Sequence, residues 1–228
     1  MTNIVVLNSA EHRGLRVQAL AAEPRNFIGV IVNEFAHLAM HYPILFSKDA
    51  DTGSFYCGAM LGFDLGENLF AQDGAKVYRP LNLQRGPFFA AGSELAIDLD
   101  SPKVGSGEPL FDEAGGPTPY LKSMVGLFRD LVPGIERTRI FTETLLGLKL
   151  IEPIDIAVSF DDGSARSLAG LYTVNKETLR ELPDAEALNL FRRGYLELIY
   201  LMTASLKQVP ILANKKNSRL LEGVPDLS

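Results

Sequence analysis

Tyr42-Pro43-Ile44-Leu45-Phe46, Gly66-Glu67-Asn68-Leu69-Phe70, Arg85-Gly86-Pro87-Phe88 and Gly107-Glu108-Pro109-Leu110-Phe111 place aromatic rings beside glycine, proline and a few polar groups. A generic core uses aliphatics at such positions. Glycine and proline restrict or extend the backbone choices of a turn, so the stretch from Tyr42 to Phe111 predicts a specific fold with rigid turns. It does not spell out a chemistry.

Outward from that stretch, the first hundred residues read as strands and turns. Ile4-Val5-Val6-Leu7 and Phe27-Ile28-Gly29-Val30-Ile31-Val32 are short apolar runs with β-branched residues. Asn33 is placed to cap a short helix carrying Phe35, Leu38 and Met40, stopped by Tyr42-Pro43. Ile44 to Phe46 and Ser54 to Phe63 flank Asp49-Ala50-Asp51-Thr52-Gly53, a hairpin turn. Phe88-Phe89 and Leu95 to Leu99 read as further strands.

From Thr118 the period changes from two to 3.6. Thr118-Pro119 is a cap followed by a first-turn proline, and Leu121, Met124, Val125, Phe128, Leu131 and Val132 recur at helical spacing until Pro133-Gly134. Phe141, Leu145 and Leu148 suggest a second helix. Ile154, Ile156, Val158 and Phe160 alternate as a strand, Asp161-Asp162-Gly163 turns the chain, and Leu168 to Val174 returns. Leu188, Phe191, Tyr195, Leu198, Ile199, Met202 and Leu206 trace one helix from about Ala185 to Gln208, closed by Val209-Pro210. The expected fold class is α+β, a strand-rich N-terminal half packed with a helical C-terminal half that contains a β-hairpin. One domain over 1–228 is expected: 1–117 mainly strands and turns, 118–213 mainly helical with the hairpin at 154–174, and a loosely held tail at 214–228.

Composition narrows the classes of function. Hydrophobic residues at 46% and charged residues at 22% suit a soluble globular protein, and the net charge of −6 argues against a general affinity for nucleic acid. Arg192-Arg193 and Lys215-Lys216 with Arg219 are too small for a phosphate-tracking groove and read as solvated surface. The single cysteine, Cys57, excludes an internal disulfide and reads as a small core hydrophobe. No basic head followed by an apolar run opens the chain, and no apolar stretch approaches the roughly 20 residues that span a bilayer. The expected location is cytoplasmic, with non-classical export to the cell surface as the alternative.

Tests for chemistry assign no catalytic residue, metal or cofactor. His37 and His41 lie four apart with Glu34 one turn earlier, but the only other histidine is His12 and the acid does not sit between the pair. The acidic loops at Asp49 and Asp161 read as turns rather than calcium loops. Gly105-Ser106-Gly107 and Gly115-Gly116 match neither a dinucleotide fingerprint nor a phosphate loop, and no serine elbow exists. What remains is Asn68, Arg79 and Arg85 near Tyr42, Phe70, Tyr78 and Phe88. Arginine beside aromatics clamps a carboxylate or stacks on a planar ligand, and it equally ties a turn by pairing with backbone carbonyls. Tyr172 reads as core.

The quoted motifs, continued by Pro117-Thr118-Pro119-Tyr120-Leu121 and Gly170-Leu171-Tyr172 into the last long helix, resemble the SapC-like family of bacterial proteins over nearly the whole chain. Val77 stands where that family has a tryptophan, and Gly86 replaces the aromatic of its Arg-aromatic-Pro-Phe turn. The family takes its name from a protein associated with paracrystalline surface layers. Similar members are encoded beside tryptophan halogenase-like proteins and TonB-dependent outer-membrane receptors. The resemblance brings no catalytic residues, and it is not to the peptide-transport permease of the same name. A well-formed core with no constellation of catalytic groups, taken with the surface-layer and outer-membrane link that the resemblance implies, leads to the expectation of a soluble, non-catalytic accessory or binding protein of an S-layer-associated or outer-membrane-linked system, with a protein partner and, from charge and hydropathy, without nucleic acid or a transmembrane segment. The alternative is an enzyme or sensor acting on a small aromatic or peptide-like ligand, bound by Tyr42, Asn68, Arg79, Arg85 and Phe88.

Overall fold

A computed structural model describes residues 3–18, 24–71, 73 and 76–222. The elements run β1 (Ile4–Val6), α1 (Ser9–His12), β2 (Arg16–Val17), β3 (Phe27–Gly29), a 3-10 turn (Val32–Glu34), α2 (Phe35–Leu38), β4 (Ile44–Lys48) and β5 (Phe55–Met60). They continue with α3 (Leu81–Gln84), β6 (Phe88–Ala91), β7 (Glu94–Asp98), β8 (Glu108–Pro109) and α4 (Pro119–Gly147). The hairpin β9 (Ile151–Ser159) and β10 (Ala165–Val174) precedes α5 (Lys176–Arg180), α6 (Asp184–Arg192), α7 (Tyr195–Ser205) and α8 (Gln208–Glu222). The fold is α+β, with strands dominating the first half and helices the second.

The chain divides into two compact units, Met1–Ala22 with Leu81–Pro133, and Glu23–Pro80 with Gly134–Ser228. The first holds an antiparallel sheet ordered β1-β7-β6 and the short pair β2-β8. The second holds a five-stranded antiparallel sheet ordered β3-β5-β4-β10-β9. In its centre Phe46 pairs with both Cys57 and Tyr172. Leu45, Met60, Leu69, Ile156, Phe160 and Leu212 form one buried cluster there, so β9's alternating face and α8 meet the strands.

Several helix boundaries differ from the sequence expectation, each for an identifiable reason. Thr118 caps α4 as expected, its hydroxyl accepting from Leu121 N at 3.3 Å. Pro133-Gly134 does not end that helix, which runs unbroken to Gly147. A mid-helix proline costs roughly 3 kcal/mol, and the buried stripe Leu121, Leu127, Leu131, Phe141 and Leu145 outweighs it. Gly134 serves close packing instead, since a Cβ there would lie 2.3 Å from Ile31 Cδ1. Asn33 does not cap α2; the preceding turn is tied by the Glu34 carboxylate, which accepts from Ile31 N at 3.2 Å.

The expected helix from Ala185 to Gln208 is two helices, α6 and α7, and a third, α8, begins at Gln208. Gly194 takes φ +72°, a left-handed conformation that separates α6 from α7. Pro210 sits in the first turn of α8 rather than after a helix, where its missing N–H leaves no intrahelical bond unmade. The tail expected from residue 214 is helical to Glu222, and only 223–228 lies outside the described residues. Against the expectation of no long apolar stretch, Tyr195–Leu221 is long and apolar enough to cross a membrane by length and composition. In the fold α7 nonetheless buries Ile199, Met202 and Ser205, and the Ser205 hydroxyl accepts from Ile44 N of β4 at 2.8 Å.

Two glycine substitutions should therefore act in opposite directions. Gly194→Ala forces a side chain into the left-handed region and should destabilise by about 1–2 kcal/mol. Gly126→Ala, inside α4 with nothing within 4 Å of the added carbon, should stabilise by about 0.5–1 kcal/mol. Urea unfolding midpoints of the two variants check the pair.

Candidate functional site

The aromatic stretch divides between the two units. Arg85 and Phe88 belong to the first, and Tyr42, Asn68 and Arg79 to the second. Arg85 closes a local turn: Nη1 donates to the Phe88 carbonyl at 2.7 Å, Nε donates to Asn82 Oδ1 at 3.2 Å, and the guanidinium lies 4.5 Å from the Phe89 ring centre. The Phe88 ring is fully buried, 6.2 Å from Tyr120.

In the second unit Tyr42 is buried and donates its hydroxyl to the Tyr78 carbonyl at 2.7 Å. Burial, helped by the charge of Asp73, holds that hydroxyl well above the ordinary tyrosine range, although Arg79 pulls it down. It is therefore a fixed donor and not a proton shuttle at neutral pH. Phe70 packs on Tyr42 at 4.4 Å, and Asn68 accepts from Phe70 N at 3.0 Å through its side chain. Tyr42, Phe70 and Asn68 are thus brought together, with Arg79 in electrostatic reach of Tyr42.

The groups weighed for metal or nucleophilic chemistry have other contacts. His37 stacks on Tyr78 at 5.0 Å, His41 meets Tyr42 edge-on, and Tyr78 donates its hydroxyl to Glu34 at 3.1 Å. Among the described residues no three His, Cys, Asp or Glu side chains group as a metal site. Burial pushes the Cys57 thiol up to about 12, against a partly opposing contact with Thr142, so it is a neutral core group at pH 7. Tyr172 is half-buried, edge-on to Phe55 at 4.7 Å.

The most elaborate polar arrangement in the second unit was missed at the sequence level. Lys215, Lys216 and Arg219 are not a solvated cluster. All three reach from α8 to the loop 64–73, which contains Gly66-Glu67-Asn68-Leu69-Phe70. Lys216, only 5% exposed, pairs with Asp64 and with Glu67 Oε1, the latter at 2.7 Å. Glu67 is equally buried, and its other oxygen accepts from Phe63 N at 2.7 Å and Asp64 N at 3.2 Å. Arg219 donates to the carbonyls of Asn68 and Leu69 at 3.3 and 2.8 Å, Lys215 pairs with Asp73 at 2.7 Å, and Arg166 of β10 also binds Asp64.

The signal for Lys216 is visible in the helix period. Val209, Leu212, Ala213 and Lys216 fall at i, i+3, i+4 and i+7, the inward stripe of α8. Arg192-Arg193 stays exposed, with Arg193 donating to Tyr195 Oη at 2.8 Å. Chemically, the Lys216 cluster is a clamp. Burial pulls the Lys216 ammonium down, but the bonds from Asp64 and Glu67 outweigh it and leave the group raised. A lysine held as ammonium is a poor nucleophile or base.

The family model for SapC matches residues 7–212, and the chain belongs to the SapC family. No curated protein and no solved structure matches it. The matched span includes Asp64 and Glu67 and stops before Lys215, Lys216 and Arg219.

Removing one member of a buried ion pair strands the other, at about 3–5 kcal/mol. Lys216→Met should therefore lower stability by about that amount, and the double variant Lys216→Met with Glu67→Gln should recover part of it, read from denaturant midpoints. Acid provides a second check. The Arg166 bond, with Lys216, holds Asp64 below its ordinary 3.8. Its contribution to stability is thus complete above pH 3.8 and lost as pH falls through the depressed value. Asp64→Asn should flatten the stability profile in that acid range.

Proposed function

We propose that this SapC-family chain is a non-catalytic binding protein that docks another protein, as an accessory of a surface-layer or outer-membrane-linked system. The observation that carries the reading is Leu65. It is 97% exposed, yet it sits between Asp64 and Glu67, both tied to Lys216. A flexible loop with an apolar tip loses entropy on binding, whereas a tip held in place loses little. A rigidly presented leucine is a knob suited to an apolar pocket on a partner.

Further large apolar side chains lie open on the last three helices. Leu188 and Phe191, three residues apart and so on one side of α6, are 46% and 67% exposed; Tyr200 and Ile211 are 59% and 57% exposed. Only 28% of the most apolar window within Tyr195–Leu221 is buried. Single exposed apolar residues are ordinary, but this concentration supports docking. The buried thiol of Cys57 and the locked hydroxyl of Tyr42 supply no activated group for turnover.

The test mixes the purified chain with purified surface-layer and outer-membrane proteins of the same cell, one at a time. Co-elution at micromolar concentration is expected. Leu65→Asp should weaken it at least about tenfold, roughly 1.4 kcal/mol, without moving the melting temperature. Monomers only, or association with lipid vesicles in place of protein, would overturn the proposal.

A further inference from the structure

The face of the second unit formed by β9, β10 and α5 opens on a cleft of about 430 Å³, within the size range of small-ligand sites. None of the five residues singled out in the aromatic stretch lines it. Its position follows from register. Thr173 of β10 pairs directly with Glu152 of β9, so both side chains stand on the same face of the hairpin. From the short helix that follows, Lys176 and Arg180 project four residues apart on one side, with Glu177 beside them. Val174 and Leu206 supply apolar surface.

Thr173 carries the first part of the inference. It is only 8% exposed, lines the cleft, and its hydroxyl makes no hydrogen bond among the described residues. That hydroxyl is reachable from the cleft rather than sealed in the interior, so a group entering the cleft can bond it in place of water. The second part is charge. Glu152, Lys176, Glu177 and Arg180 all border the space, yet among the described residues they close no ion pair with one another. Two acids repel a free anion and two bases repel a free cation. A molecule bearing both charges meets a partner for each.

We propose that this cleft binds a small zwitterion of the α-amino-acid type. Arg180 and Lys176 take its carboxylate, Glu152 and the Thr173 hydroxyl take its ammonium, and Val174 and Leu206 receive its side chain. The site is separate from Leu65 and stands or falls independently of docking there.

Titration calorimetry on the full chain tests it with L-leucine, L-leucyl-L-leucine, N-acetyl-L-leucine and L-leucinamide. Saturable binding of leucine or of the dipeptide is expected at micromolar to millimolar concentration, and which of the two binds tells free amino acid from peptide. The blocked analogues, each lacking one charge, should bind at least about tenfold more weakly, as should leucine with the Glu152→Gln and Arg180→Gln variants. Thr173→Val should weaken binding about fivefold. Unchanged melting temperatures show that the variants fold. No saturable heat from either zwitterion, equal binding of N-acetyl-leucine and leucine, or unaltered binding by Glu152→Gln would each overturn the assignment.

Discussion

A lysine ammonium taken out of water on the inward face of α8 is the constraint around which the second unit is arranged. Lys216 can occupy that position only because Asp64 and Glu67 meet it, and Glu67 directs its remaining oxygen to the backbone of Phe63 and Asp64. One charged contact therefore dictates the shape of the loop that follows β5. Arg219 and Lys215 extend the same attachment to Asn68, Leu69 and Asp73. The loop in turn places Leu69 in the buried cluster and Phe70 against Tyr42.

This arrangement gives the Gly66-Glu67-Asn68-Leu69-Phe70 motif a physical meaning. Glu67 answers a buried cation, Asn68 ties the bend, Leu69 fills the core and Phe70 covers a tyrosine. Such a loop is costly in desolvation, and conformational specificity is one use to which buried ion pairs are put. Here the product of that specificity is an exposed leucine in a fixed place. The proposed docking role follows from that presentation, and the cleft beside α5 adds a second, polar surface of different character.

Much of the architecture was legible in the chain. The β9–β10 hairpin follows from the alternation of Ile154, Ile156 and Val158 around a turn at Asp161, and the start of α4 from Thr118-Pro119. Helix ends were less legible because local rules met tertiary packing. Pro133 reads as a stop, but the buried stripe on both sides of it carries the helix through. Gly194, a single left-handed residue, interrupts a stripe whose apolar period continues across it. Tyr42, Asn68 and Phe70 do gather, whereas Arg85 and Phe88 belong to the other unit. Composition misled most for Lys216, since a lysine-lysine pair in a polar tail reads as surface until its place on the helix period is counted.

Native-state hydrogen exchange at the Phe63 and Asp64 amides addresses the clamp most directly, because both donate to the carboxylate that Lys216 neutralises. In the intact chain these amides should be protected. In Lys216→Met they should exchange by local opening, much faster than the paired amides of β4 and β5, which lose only the protection that the lower global stability removes. Equal protection of Phe63 and Asp64 in both proteins would mean that the loop holds its shape without Lys216.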